Sequence, residues 1–222
     1  MTNRSPARAL AKKHLADNDP LGWFEPLYAG ANDDPTVIPW ADRRPNPNLL
    51  AWLDAHPAPP RRTALKVGCG LGDDAEELAR RGFRVTAFDI APTAIAWCRS
   101  RFPDSTVRYA TADLLSPPAE WTGAFDFVLE SYTLQVLPTD LRLPALLRLS
   151  RFLAPRGELL LICRGRVPIN PPGEMPWPLT REELSCLADR AGLAEKQFED
   201  FVDAETPPVR RFRAVYCAAN LR

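Results

Sequence analysis

The chain has 222 residues, enough for one domain with a full core. Its 28 basic and 28 acidic side chains give a formal net charge of zero, which argues against nucleic acid as a partner. No apolar run approaches ~18 residues, and the first residues lack a continuous apolar stretch. Neither a membrane span nor a secretory signal is therefore expected, and a cytoplasmic location is. Five scattered cysteines form no CxxC pair and read as buried, reduced thiols. The two histidines, His14 and His56, both precede the motifs described below, so neither a metal site nor a histidine-based triad is expected. The 24 prolines are about twice the usual share, and they concentrate in connections.

Residues 1–18 mix Arg4, Arg8, Lys12 and Lys13 with alanine and leucine, the pattern of a helical or mobile arm or of a transit peptide. Asp19-Pro20 reads as a helix start, with an acid at the cap and proline at the first helical position. Leu21 to Tyr28 then runs apolar at helical spacing, and a loop follows from Asp33 to Trp40. Asn46-Pro47 caps another helix, running through Leu49, Leu50, Trp52 and Leu53 to His56. Trp52 sits in an apolar stripe and reads as core, whereas Trp40 follows Pro39 in a loop and fits packing or a site equally.

Residues 64–73 read Ala-Leu-Lys-Val-Gly-Cys-Gly-Leu-Gly-Asp, a short strand feeding three alternate glycines and then a helix. Glycine permits positive φ and close backbone approach to a ligand, and a helix start offers free N–H groups. Asp89 ends the next strand, 21 residues after Gly68. A carboxylate about 20 residues on holds a ribose hydroxyl pair. The dinucleotide pattern is broken at its sixth position, where Asp73 replaces a small residue. A carboxylate there would repel a pyrophosphate, so the loop suits a nucleoside without phosphates, and S-adenosyl-L-methionine fits.

Strands are predicted at 62–67, 84–88, 106–110, 124–130 and 157–163, with helices at 73–81, 92–101 and 139–153. Such alternation gives a parallel sheet with helices on both faces and a crevice at the strands' carboxyl ends. Lys66 is anomalous in a central strand: its ammonium either reaches the pocket or extends to an edge. Thr111-Ala112-Asp113-Leu114 follows the third strand, and Glu130-Ser131-Tyr132 ends the fourth. Thr133 to Pro138 reads as a short helix flooring the pocket. Arg164 and Arg166 follow the fifth strand, either as solvated charges, as an anion site or as a device favouring a thiolate or phenolate. Thr180-Arg181-Glu182-Glu183 is a capping box, and strands at 195–202 and 210–218 form a closing hairpin.

This arrangement resembles class I methyltransferases, whose first motif is a GxGxG loop and whose second is the acid at Asp89. The resemblance implies a doubly wound α/β Rossmann-like fold, a mostly parallel seven-stranded sheet with an antiparallel end. Residues 61–222 would form that domain, under an arm and helical cap at residues 1–60. It implies cofactor contacts from Gly68, Cys69, Gly70, Asp73, Asp89 and Ile90. It also implies Ala112, Asp113 and Leu114 around the adenine, and Glu130 and Ser131 near the methionine ammonium. The stretch W-x4-Y-x-G…P-W…P-x-P-x-L, from Trp23 to Leu49, resembles the cap of the thiopurine, halide and thiol methyltransferases. Carried over, Trp23 and Trp40 line the methyl-transfer chamber.

Tyr132, Arg164 and Arg166 are the expected catalytic residues. The expected partner is a small-molecule acceptor, met by a monomer or weak homodimer. Sulfur is the favoured acceptor atom, since a thiol is already partly ionised at neutral pH and needs little base. The alternatives are N- or O-methylation of an acidic heterocycle or carboxylate, and a non-catalytic module that binds the cofactor. A nicotinamide oxidoreductase fits Asp73 poorly. Asn170-Pro171-Pro172-Gly173 is like the signature of DNA amino-group methyltransferases, but it follows the wrong strand and lacks the final aromatic residue.

Overall fold

The apolar runs pair into one seven-stranded sheet in the order β3-β2-β1-β4-β5-β7-β6. The strands are β1 (Thr63–Val67), β2 (Arg84–Asp89), β3 (Arg108–Thr111), β4 (Phe125–Ser131), β5 (Leu153–Arg164), β6 (Leu193–Val202) and β7 (Arg210–Ala218). The computed structural model describes residues 4–219 apart from 33, 58 and 60; Asp33 thus lies outside the described residues. The first five strands are parallel, and β7 runs antiparallel between β5 and β6. Strand order reverses between β1 and β4, which opens a crevice at their carboxyl ends.

The helices are α1 (Ser5–Ala16), α2 (Phe24–Ala29), α3 (Pro47–Ala55), α4 (Asp73–Arg80), α5 (Pro92–Arg101), α6 (Thr139–Phe152) and α7 (Arg181–Arg190). Period-two alternation sends Leu65, Val128, Leu159 and Leu161 to one face, where α6 and α7 bury Leu146, Leu149 and Leu184. Ala64, Phe127, Leu129 and Leu160 face the other way, against Trp52 of α3, Leu78 of α4 and Ile95 of α5. A third cluster joins α1 and α2 to Leu71, Ala91 and Ala94 beside the crevice.

The caps explain several boundaries. Asn46 accepts a hydrogen bond from the Asn48 backbone N–H, and Pro47 opens α3. Thr180 and Glu183 bond reciprocally at the start of α7. Gly82, at φ +92°, ends the α4 turn.

Asp19-Pro20 does not start a helix. Residues 20–23 form a turn, and α2 begins at Phe24. The Asp19 carboxylate instead accepts the Gly22 N–H at 3.0 Å and meets His14 at 3.0 Å. The segment over 5–16 is helical, with Ala7 and Ala11 buried. β5 begins at Leu153, opposite Phe125, before a register irregularity brings Glu158 opposite Phe127. Among the described residues no helix is long and apolar enough to cross a membrane.

Candidate active site

A cavity of about 770 Å³ opens at the carboxyl ends of β1, β2, β4 and β5, with α1 and α2 on its far side. One wall is the glycine loop. Gly68 sits at φ +56°, and a Cβ there would lie 2.5 Å from Thr133 Oγ1. Gly70, at φ +54°, faces the Tyr28 hydroxyl and the Trp40 indole. Side chains at either position would be strained and would narrow the cavity.

Asp89 stands beside this loop. Its Oδ2 accepts the Gly70 N–H at 2.9 Å, and its Oδ1 accepts the Ala91 N–H at 3.1 Å. Burial raises its pKa above the ordinary carboxylate value, opposed by those backbone donors and by the Lys66 charge. Asp113 lines the cavity with Ile90, Ala112 and Leu114 around it. Its Oδ1 accepts the Leu115 N–H at 2.8 Å, which fixes the turn. Cys69 lines the loop as a buried, protonated thiol, its pKa raised by desolvation.

The other end of the cavity is more polar. Ser131, Tyr132, Asn46, Lys66, Asp74, Arg164 and Arg211 line it. Tyr132 lies in the left-handed region at φ +68°, and its hydroxyl accepts a bond from Asn48 Nδ2 at 3.2 Å. The Arg211 guanidinium lies 4.7 Å from the Tyr132 ring centre. Burial raises the Tyr132 pKa, so its hydroxyl stays protonated at neutral pH. Lys66, only 3% exposed, reaches the pocket rather than an edge. Its Nζ donates to the Val67 and Gly68 carbonyls and sits 3.9 Å from Asp74. Trp40 closes one side, its Nε1 donating to the Tyr28 hydroxyl at 2.8 Å.

Three expected site residues sit differently from the sequence reading. Trp23 is 1% exposed and does not line the cavity; it stacks on Phe24 at 3.9 Å inside the α1–α2 cluster. Phe24 and Tyr28, one helical turn apart, take the lining positions. Glu130 is 0% exposed and lies behind the wall. Its Oε1 accepts the Thr133 and Leu134 N–H groups at 2.6 and 2.9 Å, while its neighbour Ser131 faces the cavity. Arg166 points away, bonding the Pro178 and Asn170 carbonyls and Glu183. β5 ends at Arg164, and beyond it the chain is held by a bridge from Gly165 to Leu179 and by the Arg166 N–H to the Leu179 carbonyl, outside the strand whose alternation would relate the two arginines. Asp73 lines the cavity but is not a free charge, since Arg101 grips both its oxygens at 2.8 and 2.9 Å.

The first turn of α4 nevertheless holds Asp73, Asp74 and Glu76. These acids occupy the helix start where a phosphate would otherwise bind. Sequence reasoning missed Tyr28, Asp74, Asn46 and Arg211. Tyr28 was signalled by the aromatic spacing, and Asp74 by its place beside the loop; Arg211 lies on a hairpin with no local motif.

Trp23 and Trp40 are separable by experiment. Trp23→Ala is expected to destabilise the fold by about 3–5 kcal/mol, the cost of truncating a fully buried aromatic residue. Trp40→Ala should cost less and act on ligand binding. Urea unfolding of both variants checks this, and equal costs would contradict the assignment.

Residues 64–157 match a family model described as a methyltransferase domain. A ubiquinone biosynthesis O-methyltransferase of Xanthomonas oryzae is 36% identical over 107 residues, covering 47% of this chain and 44% of the relative. The chain thus matches less than half the length of that curated relative. Among solved structures, one described by the conversion of a disulfide bond into a thioacetal group during echinomycin biosynthesis superposes with a TM-score of 0.72. It is 21% identical and covers 91% of this chain and 93% of its own. The 1,6-didemethyltoxoflavin-N1-methyltransferase of Burkholderia thailandensis, solved with its acceptor and S-adenosylhomocysteine, has a TM-score of 0.68. It is 18% identical and covers 99% of this chain and 92% of its own. The fold is that of the class I methyltransferases, and the antiparallel β6–β7 pair completes it.

Proposed function

We propose that this protein transfers a methyl group from S-adenosyl-L-methionine to a heteroatom of a small molecule, with sulfur the favoured acceptor atom. The observation that carries the reading is the cavity itself: glycine backbone and two carboxylates, Asp89 and Asp113, at one end, and a capped polar chamber at the other. That donor and acceptor set suits a nucleoside, and the acid-filled first turn of α4 disfavours a phosphate. In this reading Asp89 accepts from the ribose hydroxyls and Asp113 from the adenine amino group. Ile90, Ala112 and Leu114 cover the ring. The backbone of Gly68, Cys69 and Gly70, with Ser131, holds the amino-acid portion, and Glu130 supports it from behind by fixing the Thr133 and Leu134 backbone.

When bound, S-adenosylmethionine supplies a methyl carbon already activated by its sulfonium. The protein's remaining task is alignment, which supplies ~7–11 kcal/mol of the barrier reduction in well-oriented systems. Tyr28 and Trp40 exclude water from the chamber. Tyr132 presents a protonated hydroxyl that hydrogen-bonds the acceptor, and Arg164 adds positive charge that favours an ionised nucleophile. No histidine lines the cavity among the described residues, which supports an acceptor that ionises without a strong base. The names of the curated O-methyltransferases support oxygen as a second reading.

Calorimetry with S-adenosylhomocysteine and with NADH is the first test. Binding of the former alone is expected, and binding of NADH alone overturns the proposal. Matched thiols and phenols, scored by S-adenosylhomocysteine release, then decide the atom. Faster turnover of the phenols moves the assignment to oxygen.

A further inference from the structure

Arg164 ends β5 with its backbone N–H donating to Gln135 Oε1 at 2.7 Å. Its side chain lines the cavity. Four other arginines are committed to carboxylates. Arg101 holds Asp73, Arg166 holds Glu183, Arg213 holds Glu199, and Arg211 holds Asp203 and Glu205. The Arg164 guanidinium has no hydrogen-bond or ion-pair partner among the described residues. A half-buried cation without a partner is costly in the free protein. Burial and the nearby charges of Arg4 and Arg211 push its pKa down to about 10, so it remains charged at neutral pH. Arg4, just before α1, lines the same cavity from the opposite side and also lacks a side-chain partner among the described residues.

We infer that the acceptor carries a carboxylate, held by Arg164 from the sheet and by Arg4, the residue before α1. Its binding joins the helical cap to the strand ends. The inference rests on the proposed methyl transfer and names the substrate class of that site. A guanidinium offers a planar fork that matches a carboxylate. Arg211 is already held by Asp203 and Glu205, and Lys66 stands beside Asp74, so an anion entering this chamber meets the unpartnered guanidiniums of Arg164 and Arg4 first. The protonated Tyr132 hydroxyl lines the same chamber, where it can hydrogen-bond the rest of the acceptor.

The test uses the full chain saturated with S-adenosylhomocysteine, titrated with small carboxylic acids (benzoate, phenylacetate, thioglycolate) and with the corresponding neutral amides. At least one acid is expected to bind at least tenfold more tightly than its amide. Arg164→Gln is expected to weaken that acid about 10- to 100-fold while S-adenosylhomocysteine affinity stays at wild type and Tm does not fall. Arg4→Gln should weaken it by a smaller factor, and Arg164→Lys should recover part of the loss. Three outcomes overturn the inference: acids and amides bind alike, no acid binds, or Arg164→Gln changes nothing. Phenyl phosphate binding more tightly than benzoate also overturns the carboxylate assignment. Failure of the wild-type chain to bind S-adenosylhomocysteine, read before any acid is added, sinks the proposed function instead.

Discussion

Asp89→Ala is expected to weaken S-adenosylhomocysteine binding by about 1–3 kcal/mol, the cost of leaving buried hydroxyl groups without an acceptor. The carboxylate acts twice. It would accept from the ligand, and it already holds the Gly70 and Ala91 backbone N–H groups. Truncation therefore removes a ligand contact and loosens the glycine loop together. Calorimetry gives the affinity, and thermal unfolding without ligand gives the loop's contribution. A dissociation constant equal to wild type would mean that the cofactor lies elsewhere.

Glu130→Gln is expected to change the pH dependence of stability. Burial raises the Glu130 pKa from its ordinary 4.5 to about 7, against the pull of the Leu134 N–H, the Lys66 charge and the Thr133 N–H. Its Oε2 is buried without a hydrogen-bond partner. Between those two pH values the folded chain keeps a proton that the unfolded chain has lost. Folding stability therefore falls as pH rises from about 4.5 to about 7, by on the order of 3 kcal/mol from this residue. It recovers on acidification through the same window. Glutamine keeps the acceptor facing Thr133 and Leu134 but does not titrate. In urea unfolding at pH 5 and pH 8, wild type should lose stability relative to the variant by on the order of 3 kcal/mol. A constant difference between the two proteins would show that Glu130 ionises normally.

Much of the domain was readable from local pattern. β1, the glycine loop and α4 follow from an apolar run, positive-φ glycines and a helical stripe, all within twenty residues. Asp89 was readable because the distance from loop to acid is set by one helix and one strand. The site residues that escaped depend on direction rather than position. Glu130 and Ser131 are adjacent, and which one faces the cavity follows from the register of β4 against β1 and β5. Arg164 and Arg166 share a parity that would place them together in a longer strand, but β5 ends at Arg164. Trp23 and Phe24 lie at the join of a turn and a short helix, where periodicity has too few residues to fix a face.

The reversed direction of β7 has a consequence for how the polar end of the cavity can change. Its first residues, not its last, reach the crevice, so Arg211 and the preceding segment with Glu205, Thr206, Pro207 and Val209 border the polar chamber. The glycine loop, Asp89 and Asp113 come from other strands altogether. On the proposed methyl transfer, mutation in this one terminal hairpin would remodel acceptor choice while leaving the proposed donor end of the cavity untouched, which makes residues 203–211 the natural place to begin redesigning selectivity.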